Sequence, residues 1–293
     1  MNKLNKSVLT GVMALSLLAG CGSPSASQQP ASDLAASDLP EMGPVLTRIA
    51  ESGKMKVVTA SGYMPYEFID IESPDQTVIG VDMALGEKIV ERLSDELGVE
   101  VEMQIENTTF TSNLAAIAAD QADIMLAGMS PTAERRENMD FSDIYLQAEQ
   151  RLLVRAEDAE KYKELADFAG ATIAVQINTT QATIAHEVLT DSNVTELERI
   201  PNAVLELTTG NADAVVIEST VAQPYLLANP DLALSDAALP EERLYKDTAI
   251  AVPKGNEDFL EIINAVIADC QQQGLIDQWI QEYSEICAEQ NQV

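Results

Sequence analysis

Basic residues are scarce in this chain: 17 Lys and Arg stand against 48 Asp and Glu over 293 residues, a formal charge of −31. Such a surface repels phosphate backbones and anionic headgroups, so nucleic acid and anionic membrane surfaces are excluded as partners. Aromatics are also few, 4% of residues with a single Trp, so each one near a candidate site carries extra weight. A single His and the lack of a nucleophile elbow argue against hydrolase chemistry. The three Cys (Cys21, Cys270 and Cys287) form no CxxC pair and no Cys/His cluster. Neither a zinc site nor a redox centre is expected, and no cofactor is implied.

What is present begins with a targeting segment over residues 1–20. Lys3 and Lys6 form a positive n-region, and Val8 to Leu18 an apolar stretch too short to span a bilayer. It ends in Leu18-Ala19-Gly20-Cys21, which resembles a bacterial lipobox; that resemblance implies cleavage before Cys21 and a lipid on its thiol. Loss of Lys3 and Lys6 takes the charge from −31 to −33. Residues 21–43 are then a flexible tether, its Ser/Ala/Pro/Gln-rich stretch reaching roughly 25 Å as a coil. Cys270 and Cys287 leave two arrangements open: a disulfide across a C-terminal helix pair, worth about 3 kcal/mol for such a loop, or two small buried thiols.

From Pro44 onward the apolar pattern alternates between strand and helix. Lys56 to Ala60 reads as a buried strand, Asp82 as the cap of a helix carrying Leu85, Ile89, Leu93 and Leu97, and Gly98 as its stop. Val99 to Ile105 alternates as a strand, Thr111 starts a helix, and residues 123–127 form the next strand. The plan recurs with a strand from Ala171 to Val175, a helix opening at Asn178 to Gln181, a helix ending at Gly210 and a strand from Ala212 to Glu218. Gln121-Ala122-Asp123-Ile124 and Asn211-Ala212-Asp213-Ala214 lie 90 residues apart at matching points of that plan. Alternating strands and helices predict doubly wound, mainly parallel sheets, here in two similar α/β lobes facing each other across a cleft.

Residues 122–145 carry the chemistry. A buried strand runs into Gly128-Met129-Ser130-Pro131-Thr132, and Arg135 follows at a helix start. A guanidinium beside free backbone N–H groups at a strand's carboxyl end suits a small carboxylate. The plain alternative is an exposed helix arginine paired with Glu134 or Asp140, the role assigned to Arg136. His186 stands on a predicted helix without a metal-binding or catalytic neighbourhood.

These segments resemble the amino-acid-binding receptors of bacterial ABC importers, the family 3 extracellular solute-binding proteins, over about residues 52–282. The resemblance rests on Tyr63-Met64-Pro65-Tyr66-Glu67-Phe68, Gly80-Val81-Asp82, Ala127 to Arg135, Phe141 to Tyr145, Val175 to Gln181, Ala212 to Glu218 and Ala249 to Asn256, all in order. It implies a two-lobed periplasmic-binding-protein fold of type II. Lobe 1 would comprise 44–147 plus 247–290 and lobe 2 148–246, with hinge strands near Gln147 and Tyr245.

By position, Arg135 would grip the ligand carboxylate with Ser130, backbone N–H groups around Gly128 and Ser130, and Thr180. Glu218 and the Gly128 carbonyl would take the ligand ammonium. Tyr63 and Phe110 would sandwich the side chain, with Gln176, Thr179 and Gln181 near its far end. The resemblance implies a monomeric, non-enzymatic receptor, extracytoplasmic and held to the membrane through its lipid alone, which delivers a free amino acid to a permease and ATPase complex. Glu218 replaces the usual Asp, Asn178 a common Gly, and Pro131 an apolar residue. Ala60 stands where receptors for cationic amino acids often carry an acid, and no second cation is evident for a dicarboxylate, so a neutral polar amino acid is favoured. Two alternatives stay open: a dehydratase of cyclohexadienyl substrates on the same fold, and a ligand sensor for a membrane receptor.

Overall fold

The computed structural model describes residues 42–290. The signal segment, the tether before Met42 and Cys21 lie outside the described residues.

Two sheets organise the chain. The first runs β4 (Glu102–Asn107), β1 (Lys54–Thr59), β5 (Ile124–Met125), β13 (Ala251–Pro253) and β6 (Met139–Phe141). Its first three strands are parallel, and β13 is antiparallel to both β5 and β6. Around it lie α1 (Pro44–Ser52), α2 (Val81–Leu97), α3 (Phe110–Ala118), the short α4 (Ala133–Arg136), α9 (Glu257–Gln272) and α10 (Leu275–Glu289). A small hairpin, β2 (Phe68–Ile69) and β3 (Val78–Ile79), precedes α2.

The second sheet runs β11 (Leu232–Leu234), β7 (Leu146–Arg155), β10 (Ala214–Glu218), β8 (Thr172–Gln176) and β9 (Asn193–Leu197). Helices α5 (Thr180–Glu187), α6 (Ile200–Thr208), α7 (Ser219–Ala228) and α8 (Glu241–Leu244) accompany it. Here β9, β8 and β10 are parallel, while β7 is antiparallel to its neighbours β10 and β11. The long β7 also pairs at its start with β12 (Tyr245–Thr248), Gln147 facing Asp247 and Tyr245 facing Glu149. Parallel pairing follows from the βα units, and the antiparallel strands come from segments that return to close each sheet.

The repeat seen in the sequence has a structural cause. Asp123 accepts the backbone N–H of Lys56 at 2.8 Å and donates its own N–H to the Lys56 carbonyl at 2.9 Å. Asp213 repeats this on Thr172, at 2.9 Å and 2.7 Å. Each aspartate clamps the start of the neighbouring parallel strand, and each also meets an arginine, Arg48 at 2.9 Å and Arg155 at 3.5 Å. The Ala-Asp pair therefore marks the same joint in both sheets.

Some boundaries differ from the sequence reading. Gly80, not Asp82, occupies the cap of α2, and Asp82 lies in its first turn with its carboxylate turned inward. Thr109 caps α3, so that helix begins at Phe110, one residue before the expected Thr111. Strand β4 is mostly exposed, an edge strand whose inward positions cover little core. Cys270 on α9 and Cys287 on α10 are both buried free thiols, so of the two arrangements the structure holds the unbridged one.

Asp123 is almost fully buried, and its loss would leave the Lys56 N–H without a partner. Asp123→Ala is expected to cost about 1–3 kcal/mol of stability, and Asp213→Ala a similar amount, read from urea unfolding midpoints. An unchanged midpoint in both variants would refute the shared clamp.

Candidate functional site

The carboxyl ends of the parallel strands from both sheets converge on one small cavity of about 20 Å³. Arg135, Ser130, Gly128, Tyr63, Phe110, Gln176, Thr179, Thr180 and Gln181 all line it. Of the expected residues, Glu218 alone is set back behind the lining. Ala60, Glu67, Ala127 and Lys246 complete the wall.

Arg135 is positioned by the short α4, whose first turn Thr132 caps with its hydroxyl. Its guanidinium donates to the carbonyls of Ser130 at 2.8 Å and Asn178 at 2.9 Å, and stacks over the Phe110 ring at 5.1 Å. It pairs with neither Glu134 nor Asp140. Burial lowers its pKa to about 10, the mark of a cation held out of water without a compensating carboxylate. The Ser130 hydroxyl beside it is buried and has no hydrogen-bond partner. Arg136, by contrast, is exposed and reaches only the Pro131 carbonyl and the Phe141 ring.

Across the cavity, Thr179 caps α5, accepting from the Ala182 N–H at 3.2 Å. Asn178, at φ +61°, supplies the left-handed residue before that cap and donates to Thr111 at 2.8 Å. Gln181 donates to the Tyr63 hydroxyl at 3.3 Å and to Gln150 at 3.1 Å, while Gln176 is tied to the Glu198 carbonyl at 3.0 Å. Thr180 contacts Gln150 and Gln181 at 3.4 and 3.3 Å. Tyr66 meets Thr220 at 3.2 Å, and Arg199 donates to the Ser61 carbonyl. Of these bonds, Asn178–Thr111, Gln181–Tyr63, Tyr66–Thr220 and Arg199–Ser61 run between the two sides of the cavity, and the others brace one side.

Two expected roles change. The Gly128 N–H is committed to Asp82 at 2.8 Å, so it is not available to a ligand carboxylate. The Gly128 carbonyl and Glu218, expected to receive an ammonium from the ligand, instead receive Lys246, at 2.6 Å and 3.2 Å. Glu218 stands at the cap position of α7, yet its side chain makes no cap hydrogen bond there. The sequence reading passed over Lys246 and found no second cation. One signal lay in plain view: inward and outward positions alternate in β12, and Lys246 shares the buried phase with Thr248.

Glu67 is the other residue the sequence reading quoted but gave no role. It is 1% exposed and neither carboxyl oxygen has a partner. Burial first, and then Asp82, raises its pKa well above the ordinary value. Asp82 is lifted to about 6, mainly by burial, against the opposing hydrogen bonds from Tyr145 and Gly128. Tyr63 is held neutral by burial and by the nearby Glu218. His186 faces Glu196 at 2.7 Å on the exposed side of α5, away from this cavity's lining.

A cavity between two α/β sheets joined by paired strands defines a two-lobed binding protein of the type II periplasmic class. The profile of the bacterial extracellular solute-binding proteins, family 3, matches residues 55–285, and the chain belongs to that family. It is 30% identical over 215 residues to the arginine-binding extracellular protein ArtP of Bacillus subtilis, covering 71% of this chain and 78% of that one. The amino-acid ABC transporter substrate-binding protein AbpA of Streptococcus pneumoniae, solved bound to L-arginine, superposes with a TM-score of 0.77 at 26% identity, over 83% of this chain and 99% of that one. An ancestral amino-acid-binding protein described as a precursor of cyclohexadienyl dehydratase, AncCDT-1, aligns at a TM-score of 0.70 and 27% identity, over 81% and 98%. Family 3 proteins are extracytoplasmic, and no helix among the described residues is long and apolar enough to cross a membrane.

The raised pKa of Glu67 sets a direction for pH dependence. The native state keeps this proton where the unfolded chain, with its value near 4.5, has lost it. The contribution is therefore full below about 4.5 and is lost as pH rises toward the folded value. Glu67→Gln, which removes the titration and keeps the shape, is expected to flatten the fall in Tm above pH 4.5 relative to wild type. Parallel Tm–pH curves for the two proteins would show that Glu67 does not titrate this way.

Proposed function

We propose that the protein is the substrate-binding receptor of an amino-acid ABC transporter. It captures a free L-amino acid between two lobes by hinge closure and delivers it to a permease and ATPase complex. The observation that carries this reading is Arg135: a partly desolvated guanidinium without an acid partner, beside a buried Ser130 hydroxyl that has no partner either. That pair supplies charge and a donor for one carboxylate. The lobes would be 44–147 plus 247–290 and 148–246. Their hinge would be the paired strands β7 and β12, on which a small change in backbone dihedrals opens the cavity.

The relatives named above as arginine-binding proteins support the receptor class. Ala60, an apolar residue at the cavity wall where receptors for cationic amino acids often carry an acid, favours a neutral polar side chain over a cationic one. The receptor would act as a monomer held by a lipid on Cys21, with residues 21–43 as tether. Catalysis is not part of the proposal. Glu218, the acid a dehydratase would draw on, is engaged by Lys246 behind the cavity wall. The sensor reading has no observation in its favour.

Calorimetry on Arg135→Ala tests the reading. Truncation would leave the ligand carboxylate unpaired in the closed cavity, and a loss of about 2–5 kcal/mol in binding is expected. Unchanged affinity would remove Arg135 from the site. Turnover of prephenate or arogenate by wild-type protein would replace the receptor with an enzyme.

A further inference from the structure

Of the described residues that line the cavity, Glu67 is the one acid, and Arg135 and Lys246 are the cations. Glu67 is 1% exposed, and neither of its carboxyl oxygens has a hydrogen-bond partner. Its place is fixed through the backbone instead: its N–H donates to the Tyr63 carbonyl at 3.2 Å, and its carbonyl accepts from the Gly62 N–H at 2.9 Å. A buried carboxyl group with both oxygens unmet is costly to leave that way. Seated in the wall of a binding cavity, it is an acceptor waiting for a donor.

A ligand ammonium has few other acceptors within reach. The Gly128 carbonyl and one Glu218 oxygen are taken by Lys246, at 2.6 Å and 3.2 Å. The second Glu218 oxygen is buried without a partner, but Glu218 stands behind the wall rather than in it. The Asp82 carboxylate is held by the Gly128 N–H and the Tyr145 hydroxyl. Glu218 and Asp82 still act on Glu67 through their charge, which makes its surroundings more attractive to a cation.

We propose that the Glu67 carboxylate receives the α-ammonium of the bound amino acid, and that Glu67 is the residue by which this receptor selects α-amino acids over 2-hydroxy acids with the same side chain. The proposal rests on the receptor reading and moves the ammonium contact from Glu218, behind the wall, to Glu67 within it. Every charge of a zwitterion then has an opposite: the ligand carboxylate faces Arg135, the ligand ammonium faces Glu67, and Lys246 keeps Glu218. Burial favours the protonated carboxyl while no cation faces it. An ammonium within hydrogen-bond reach favours the carboxylate, and the carboxyl proton leaves to solvent. With Glu67 engaged at the α-position, the described wall holds no second acid for a cationic side chain.

A thermal-shift screen of the purified full chain against the twenty common L-amino acids picks the ligand. Isothermal titration then compares that amino acid with its 2-hydroxy counterpart, in wild type, Glu67→Gln and Glu67→Asp. Wild type is expected to prefer the amino acid. Glu67→Gln, which keeps the shape and removes the charge, is expected to weaken the amino acid at least about thirtyfold, the scale on which one partner of a buried charge pair is lost. The 2-hydroxy acid, which has no ammonium, is expected to change by no more than about threefold, a small difference on the scale of affinities. Glu67→Asp keeps the charge and is expected to retain the preference for the amino acid. Amino-acid binding that is unchanged in Glu67→Gln overturns the inference and leaves the receptor standing. A loss that falls equally on both ligands makes Glu67 a structural residue and overturns it too. A wild-type protein that no amino acid stabilises or binds overturns the receptor reading itself.

Discussion

A cation enclosed between two protein walls must find acceptors or stay out, and the cleft of this molecule is arranged around that constraint. Two cations enter it. Lys246 finds three acceptors and becomes part of the wall. Arg135 finds only carbonyls and the face of Phe110, and among the described residues no carboxylate forms an ion pair with it. In a chain with so large an acidic excess, leaving one arginine without an acid is a local arrangement rather than a shortage of carboxylates. Two acids lie close by, yet neither pairs with it: burial favours the protonated form of Glu67, and the Asp82 carboxylate is taken by the Gly128 N–H and the Tyr145 hydroxyl.

The framework that holds these groups apart is built twice. In each sheet an aspartate after a helix–turn clamps a residue of the neighbouring parallel strand, Lys56 inside β1 and Thr172 at the start of β8. The strand ends put Gly128 and Ser130 on one side of the cavity, and Gln176, Thr179 and Glu218 on the other. The paired strands β7 and β12 link the two halves, and Lys246 projects from one of them.

Much of this was legible in the sequence, for definable reasons. Strands buried on both faces read as apolar runs, and the repeated Ala-Asp after a helix stop announced two like units. A left-handed residue was expected at Asn178 because it replaces a glycine before a helix cap, and φ there is +61°. Arg135, Ser130 and the α5 start were recognisable because each lies within a few residues of a strand end, where backbone geometry alone aims it at the cleft. Asp82 misled for a related reason: acidic residues are common at helix starts, and nothing local said that its carboxylate would turn inward to Gly128 and Tyr145.

What the sequence by itself determined is the scaffold and half of the chemistry: two α/β units, the strand ends that face each other, and an arginine anchor for a carboxylate. These follow from periodicity and from contacts between near neighbours along the chain. The tertiary structure decided the rest, above all that Lys246 takes the acceptors offered by Gly128 and Glu218, residues 118 and 28 positions away. Such a pairing leaves no local signature, because the charge balance of a cavity is a property of everything that closes around it.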